Sequence, residues 1–178
     1  MVQEVVDERL MHGAWEHPAK TTCRHNHEIA VRNIVEELYA FPTPEYPHFF
    51  TFVNVPEVQQ RIFTNYGREL APDIVVLQWP EKQPVIIGEV VTPDMLTEEN
   101  AQNVWAVEAN LEGVQFYLYV PAGHLQEVKR LLKKAKIKEK DVGMRTWRNI
   151  VGLETVDVAA FGEPIGGDGA HPEEESHR

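Results

Sequence analysis

Two acidic residues of this 178-residue chain stand where a carboxylate is expensive. Asp73 follows Pro72 at the head of the apolar run Ile74-Val75-Val76-Leu77, and Glu89 interrupts a second run, Val85-Ile86-Ile87-Gly88-Glu89-Val90-Val91. Burying an ionised carboxylate costs several kcal/mol unless it is paired or holds a cation, so acids embedded in such strands point to a metal or catalytic site. The bland alternative is structural: Asp73 closes a strand end and Glu89 pairs with an arginine such as Arg68. Period-two alternation puts Val85, Ile87, Glu89 and Val91 on one face of their strand.

The elements around the two acids follow from local pattern. The acids lie on strands either side of the proline-bounded turn Trp79-Pro80-Glu81-Lys82-Gln83-Pro84, which reads as a hairpin of buried, central strands. Upstream, Ile29, Val31, Ile34, Val35, Leu38 and Tyr39 recur at helical spacing, with Asn26 as the expected N-cap and Pro42 and Pro44 as the stop. Phe49 to Val55 is aromatic and β-branched, hence a strand, and Pro56 is expected to open a short helix through about Phe63, with a turn at Tyr66-Gly67. Downstream, Thr97 should cap a helix from Glu98 to Asn110 whose apolar face is Ala101, Val104, Trp105 and Leu111; Gly113 ends it. Gln115 to Val120 is the next strand, His124 to Lys136 an amphipathic helix, and Val142 to Trp147 a last strand. These alternations predict an α/β domain with a central mixed sheet flanked by helices.

The order helix, strand, strand beginning Pro-Asp, strand carrying Glu, helix, strand, helix resembles the restriction-endonuclease-like core of the PD-(D/E)XK nuclease superfamily, over roughly Asn26 to Trp147. The resemblance implies that Asp73 and Glu89 bind one or two magnesium ions and take part in phosphodiester hydrolysis. It also implies a lysine two residues past the glutamate, and here that position is Val91, which offers neither charge nor proton. A glutamate on the first helix often joins the family's site, so Glu36, ahead of Glu28, is a candidate. The helix after the glutamate strand often supplies a glutamine or a relocated lysine; Gln102 occupies that place, and no lysine lies on that helix.

Composition limits the partners. A chain with 43% hydrophobic residues and a single cysteine builds one core without disulfides, and no stretch approaches the roughly 20 apolar residues of a membrane-spanning helix. No N-terminal stretch reads as a signal peptide, which predicts a cytoplasmic protein. A net charge of -11 argues against general nucleic-acid binding. Nine of the 17 basic residues nevertheless fall between Lys129 and Arg148, so that region could meet a phosphate backbone, or be a solvated helix face whose lysine stems cover apolar surface. Residues 1–24 read as an N-terminal arm, 25–161 as the single domain, and 162–178, with Gly166-Gly167, Gly169 and Glu173-Glu174-Glu175, as a disordered acidic tail. His12, His17, Cys23, His25 and His27 could ligate zinc, but their spacing fits no standard finger.

Three functions follow. The first is a nuclease-like domain that has lost its chemistry with its lysine and acts by binding a protein partner or a nucleic acid. The second is an active magnesium-dependent endonuclease with a relocated lysine, for example Lys20. The third is a non-enzymatic α/β interaction protein whose acids are structural.

Overall fold

The computed structural model describes residues 18–150 and 153–161. They form a mixed α/β fold built on a curled six-stranded sheet with helices on both faces. Helix α1 (Pro18–Leu38) is followed by β1 (Phe49–Val53), a small hairpin of β2 (Ile62–Phe63) and β3 (Glu69–Leu70), and the long hairpin of β4 (Ile74–Gln78) and β5 (Gln83–Val90). Helix α2 comes next, made of an α-helical turn Glu98–Asn100, a π-helical turn Ala101–Trp105 and a final α-helical turn Ala106–Glu108. The chain then runs through β6 (Gln115–Pro121), α3 (Leu125–Lys134), β7 (Gly143–Asn149) and β8 (Val156–Phe161).

The sheet order is β1-β4-β5-β6-β7-β8. β4 lies antiparallel between β1 and β5, β5, β6 and β7 run parallel, and β8 returns antiparallel to β7. A parallel step needs a crossover longer than a hairpin, and α2 and α3 supply the two required here. Both cover the same face, as right-handed crossovers advancing in one direction along a sheet must. That face holds Val75, Leu77, Ile87, Val91, Leu118 and Val120 against Trp105 of α2 and Val128, Leu131 and Leu132 of α3. The opposite face holds Ile74, Val76, Val90 and Tyr119 against Ile29, Ala30, Val31 and Ile34 of α1. β4 is apolar on both sides because both layers bury it, which is why its sequence is a continuous run and not an alternation.

Several expectations need correction. The first helix is already formed at Pro18, where the described residues begin, and not only from near Asn26, so the expected arm of residues 1–24 contributes helix from residue 18. No apolar period marks that polar segment in sequence. Pro56 opens no helix. The side chain of Asn54 instead accepts the amides of Gln59 and Gln60, both at 2.8 Å, and donates to the carbonyls of Gln60 and Pro72, both at 2.7 Å. Those bonds satisfy the local backbone in an irregular loop and remove the incentive to coil. β7 is not the last strand, since β8 pairs along it from Met144↔Phe161 to Asn149↔Val156. The expected tail (162–178), together with His12 and His17, lies outside the described residues. Among those described, no helix is long and apolar enough to cross a membrane.

Candidate functional site

Sheet register brings the two acids together. Ile74 pairs with Gly88 across the β4–β5 hairpin, so one antiparallel step further sets Asp73 opposite Glu89 at the end of the hairpin remote from its turn. Asp73 Oδ2 accepts the backbone N–H of Val90 at 2.8 Å, and the Asp73 carbonyl accepts the N–H of Asn54 at 2.9 Å. The aspartate is thereby fixed by backbone on both neighbouring strands. Both acids are nearly buried, Asp73 at 8% exposure and Glu89 at 7%.

Two further residues complete the cluster, and sequence reasoning missed both in this role. Glu108, at the C-terminal end of α2, is 1% exposed and its carboxyl meets that of Glu89. Apart from this acid neighbour, its Oε2 has no hydrogen-bond partner. A signal for Glu108 was present. Ala101 and Trp105 define the buried face of α2, and the position that continues it, three beyond Trp105, is 108. A glutamate where the helical period demands an apolar residue is the same anomaly that exposed Glu89. The second residue is His27 of α1, weighed in sequence only as a zinc ligand, whose Nε2 lies 3.0 Å from Asp73 Oδ2. Helical spacing cannot show which strand a histidine will reach, so that contact needed the tertiary structure.

Burial and crowding set the electrostatics. Burial pushes the Glu89 carboxyl well above the usual range, and the neighbouring charges of Glu108 and Asp73 push it further. Burial likewise raises Glu108, with a proton shared from Glu89 and the charge of Arg68 pulling the other way. Carboxyl groups in contact cannot all ionise in a medium of low dielectric, so at neutral pH this cluster holds at least one proton between its members. Burial alone would lower His27, but the hydrogen bond and negative charge of Asp73 outweigh it and raise the imidazole. Among the described residues no ion pair reaches Glu89, and Arg68, the arginine considered for it, lies on the turn between β2 and β3 and donates to the carbonyl of Asn103 on α2.

No family model, curated protein or solved structure matches this chain. The site therefore has to be judged on its own atoms. Its donor set consists of hard carboxylate oxygens, one of them buried without a donor, which suits an oxygen-seeking divalent ion. As they stand, however, the carboxyl groups close on one another, and among the described residues no three His, Cys, Asp or Glu side chains are arranged to hold a metal ion. Holding one would require them to give up shared protons and turn apart.

The remaining candidates lie elsewhere. Val91 is fully buried in the core with Ile87 and Trp105, and the position two beyond Glu89 is thus a packing position. Glu36 is exposed on α1, nine residues beyond His27 and about 13 Å further along the axis at the usual rise. Glu28 pairs with Arg24 at 3.2 Å. Gln102 is exposed on α2. Lys20 lies in α1, with its side chain outside the described residues. Four of the nine residues of the basic stretch are paired: Lys129 with Glu139 at 3.2 Å, Arg130 and Lys134 both with Glu98, and Arg148 with Asp157 at 2.8 Å.

Proposed function

We propose that this chain is a restriction-endonuclease-like domain of the PD-(D/E)XK type that has kept the acid pair Asp73 and Glu89 without the cutting chemistry, and that it acts by binding a partner. The order α1, β1, β4, β5, α2, β6, with an antiparallel hairpin carrying the two acids and a crossover helix to a parallel strand, supports the fold assignment. The observation that carries the loss of chemistry is Val91. It occupies the position of the family's lysine, is fully buried, and has its backbone tied at both ends: its N–H donates to the Tyr119 carbonyl at 2.9 Å and its carbonyl accepts from Trp147 Nε1 at 3.2 Å. Acids alone can hold a cation, but orienting and deprotonating water needs a further group.

Of the two kinds of partner, a protein is favoured over a nucleic acid. The chain's charge is -11, and four of the nine basic residues of the one concentrated basic stretch are paired with Glu98, Glu139 or Asp157. Incubation with labelled DNA and RNA in magnesium or manganese tests the reading. Cleavage no faster than that of Asp73→Ala and Glu89→Ala variants supports it, and robust cleavage abolished by those substitutions overturns it.

The rival, an active magnesium-dependent nuclease, draws on one specific observation: Arg68 is close enough for its charge to act on Glu108, which would give the acid site a cation from the β2–β3 turn. An Arg68→Ala variant losing a cleavage activity present in the parent would favour it.

A further inference from the structure

Helix α3 carries positive charge that the helix itself does not offset. Residues four apart on a helix are neighbours, and here Lys129 faces Lys133 and Arg130 faces Lys134, two like-charge pairs that oppose the helix. Acids from elsewhere relieve part of this. Glu139 takes Lys129 at 3.2 Å, and the single carboxylate of Glu98 is divided between Arg130 and Lys134. Lys133 is exposed and, like Lys136, Lys138 and Lys140, forms no ion pair among the described residues. The helix also stops on a lysine where glycine is usual. Lys136 has a φ of 60°, and its N–H donates to the Lys133 carbonyl at 3.2 Å while that of Ile137 donates to the Leu132 carbonyl at 2.9 Å. The resulting turn folds the chain back beside the helix. Gln126, Lys129, Arg130 and Lys133 thus line a groove of about 540 Å³ together with Ile137 and Glu139.

We propose that this groove is an anion-docking surface whose occupant is the chain's own acidic segment 162–178, with Glu173-Glu174-Glu175 set against Lys129, Arg130 and Lys133. Charge fits the pair: the segment holds Glu163, Asp168 and the three consecutive glutamates against Arg178 alone. Position fits as well. The segment leaves β8 at Phe161, which pairs with Met144. Met144 lies only five residues beyond Glu139 of the groove wall, hence within roughly 18 Å of it. The glutamate run starts 12 residues past Phe161, after Gly162, Gly166, Gly167 and Gly169, and a glycine-rich tether of that length has a root-mean-square reach of roughly 20 Å. A tether matched to its span holds the run near the groove at an effective concentration in the millimolar range, enough for a few exposed ion pairs to form that would be too weak between separate molecules. The docking leaves fewer free cations for a phosphate backbone, and it does not depend on whether Asp73 and Glu89 cut.

The test is zero-length carbodiimide coupling of carboxylates to lysines in the full chain, with the coupled peptides located by mass spectrometry. Six of the eight lysines lie between Lys129 and Lys140, and Lys20 and Lys82 serve as internal controls. At low salt the run Glu173 to Glu175 should couple to the Lys129–Lys140 region, in monomeric protein, roughly fivefold or more above its coupling to Lys20 and Lys82, and high salt should abolish the excess. Lys129→Glu/Lys133→Glu should lower coupling to the remaining lysines of the region by a similar factor. Adding Glu173→Lys/Glu174→Lys/Glu175→Lys to that variant should restore coupling between the two segments, which a disturbed helix would not do. Coupling no greater than that to Lys20 and Lys82, or an excess that survives high salt or charge reversal, overturns the proposal. Coupling confined to covalent dimers overturns it in favour of a second copy of the chain as the occupant.

Discussion

Glu108→Gln should make this protein more stable, and increasingly so as pH rises. A carboxyl whose folded pKa is raised favours the fold while protonated, below its unfolded value near 4.5, and that contribution is lost as pH climbs through the folded value, here about 8. Each pH unit across the interval costs about 1.4 kcal/mol for an independent group. Because the group titrates together with Glu89 and not independently, about 2–3 kcal/mol of that cost remains near pH 8. Glutamine mimics the protonated acid in size and removes that cost. In a protein of 178 residues, each kcal/mol moves the melting midpoint by about 2–4 °C, so the variant should melt roughly 4–12 °C above the parent near pH 8 and within a degree or two of it near pH 5. Thermal melts followed by circular dichroism in metal-free buffer at both pH values measure it. An equal gain at the two pH values, or a loss near pH 8, would refute the claim that Glu108 is strained by its own charge.

Other expectations follow from the same atoms. Removing the imidazole partner of Asp73 by His27→Ala should cost about 1–3 kcal/mol. Because Asp73 raises His27, that loss should be full below the ordinary histidine value of 6.5 and fade as pH rises above it, which urea denaturation across that range would show. A methyl group at Gly143 would sit 2.5 Å from a Tyr117 ring carbon, so Gly143→Ala should destabilise by about 1–3 kcal/mol while Gly113→Ala, strained only by its φ of +74°, meets no such contact. Comparing their denaturation midpoints separates overpacking from backbone strain. Tyr119→Phe deletes the buried hydroxyl pair with Tyr39 and should cost about 1 kcal/mol, visible in the same assay.

How much of this was legible beforehand depended on the range of the signal. The β4–β5 hairpin could be read because its strands are continuous apolar runs with a proline-bounded turn, and Thr97 capped its helix as expected, its hydroxyl accepting the N–H of Asn100 at 3.1 Å. Asp73 and Glu89 stood out as charges in those runs, and their cross-strand meeting follows from the hairpin register. Glu108 was legible in principle, as a polar residue in an apolar helical slot, but in an acidic chain one more helical glutamate looks solvated. His27 was not, because its partner is 46 residues away and only the packing of α1 on the sheet brings them together. The loop after β1 escaped for a local reason: Asn54, a single side chain, organises a segment whose proline suggests a helix start. β8 escaped because a short edge strand after a turn carries little periodicity.

The most direct measurement is a single-turnover cleavage assay with the protein in excess over end-labelled single-stranded DNA, duplex DNA and RNA, in manganese, with the Asp73→Ala/Glu89→Ala double variant as the blank. The account expects parent and blank to be indistinguishable on all three substrates. Cleavage by the parent that the blank lacks would contradict it, and would show that an acid site with valine at position 91 still cuts.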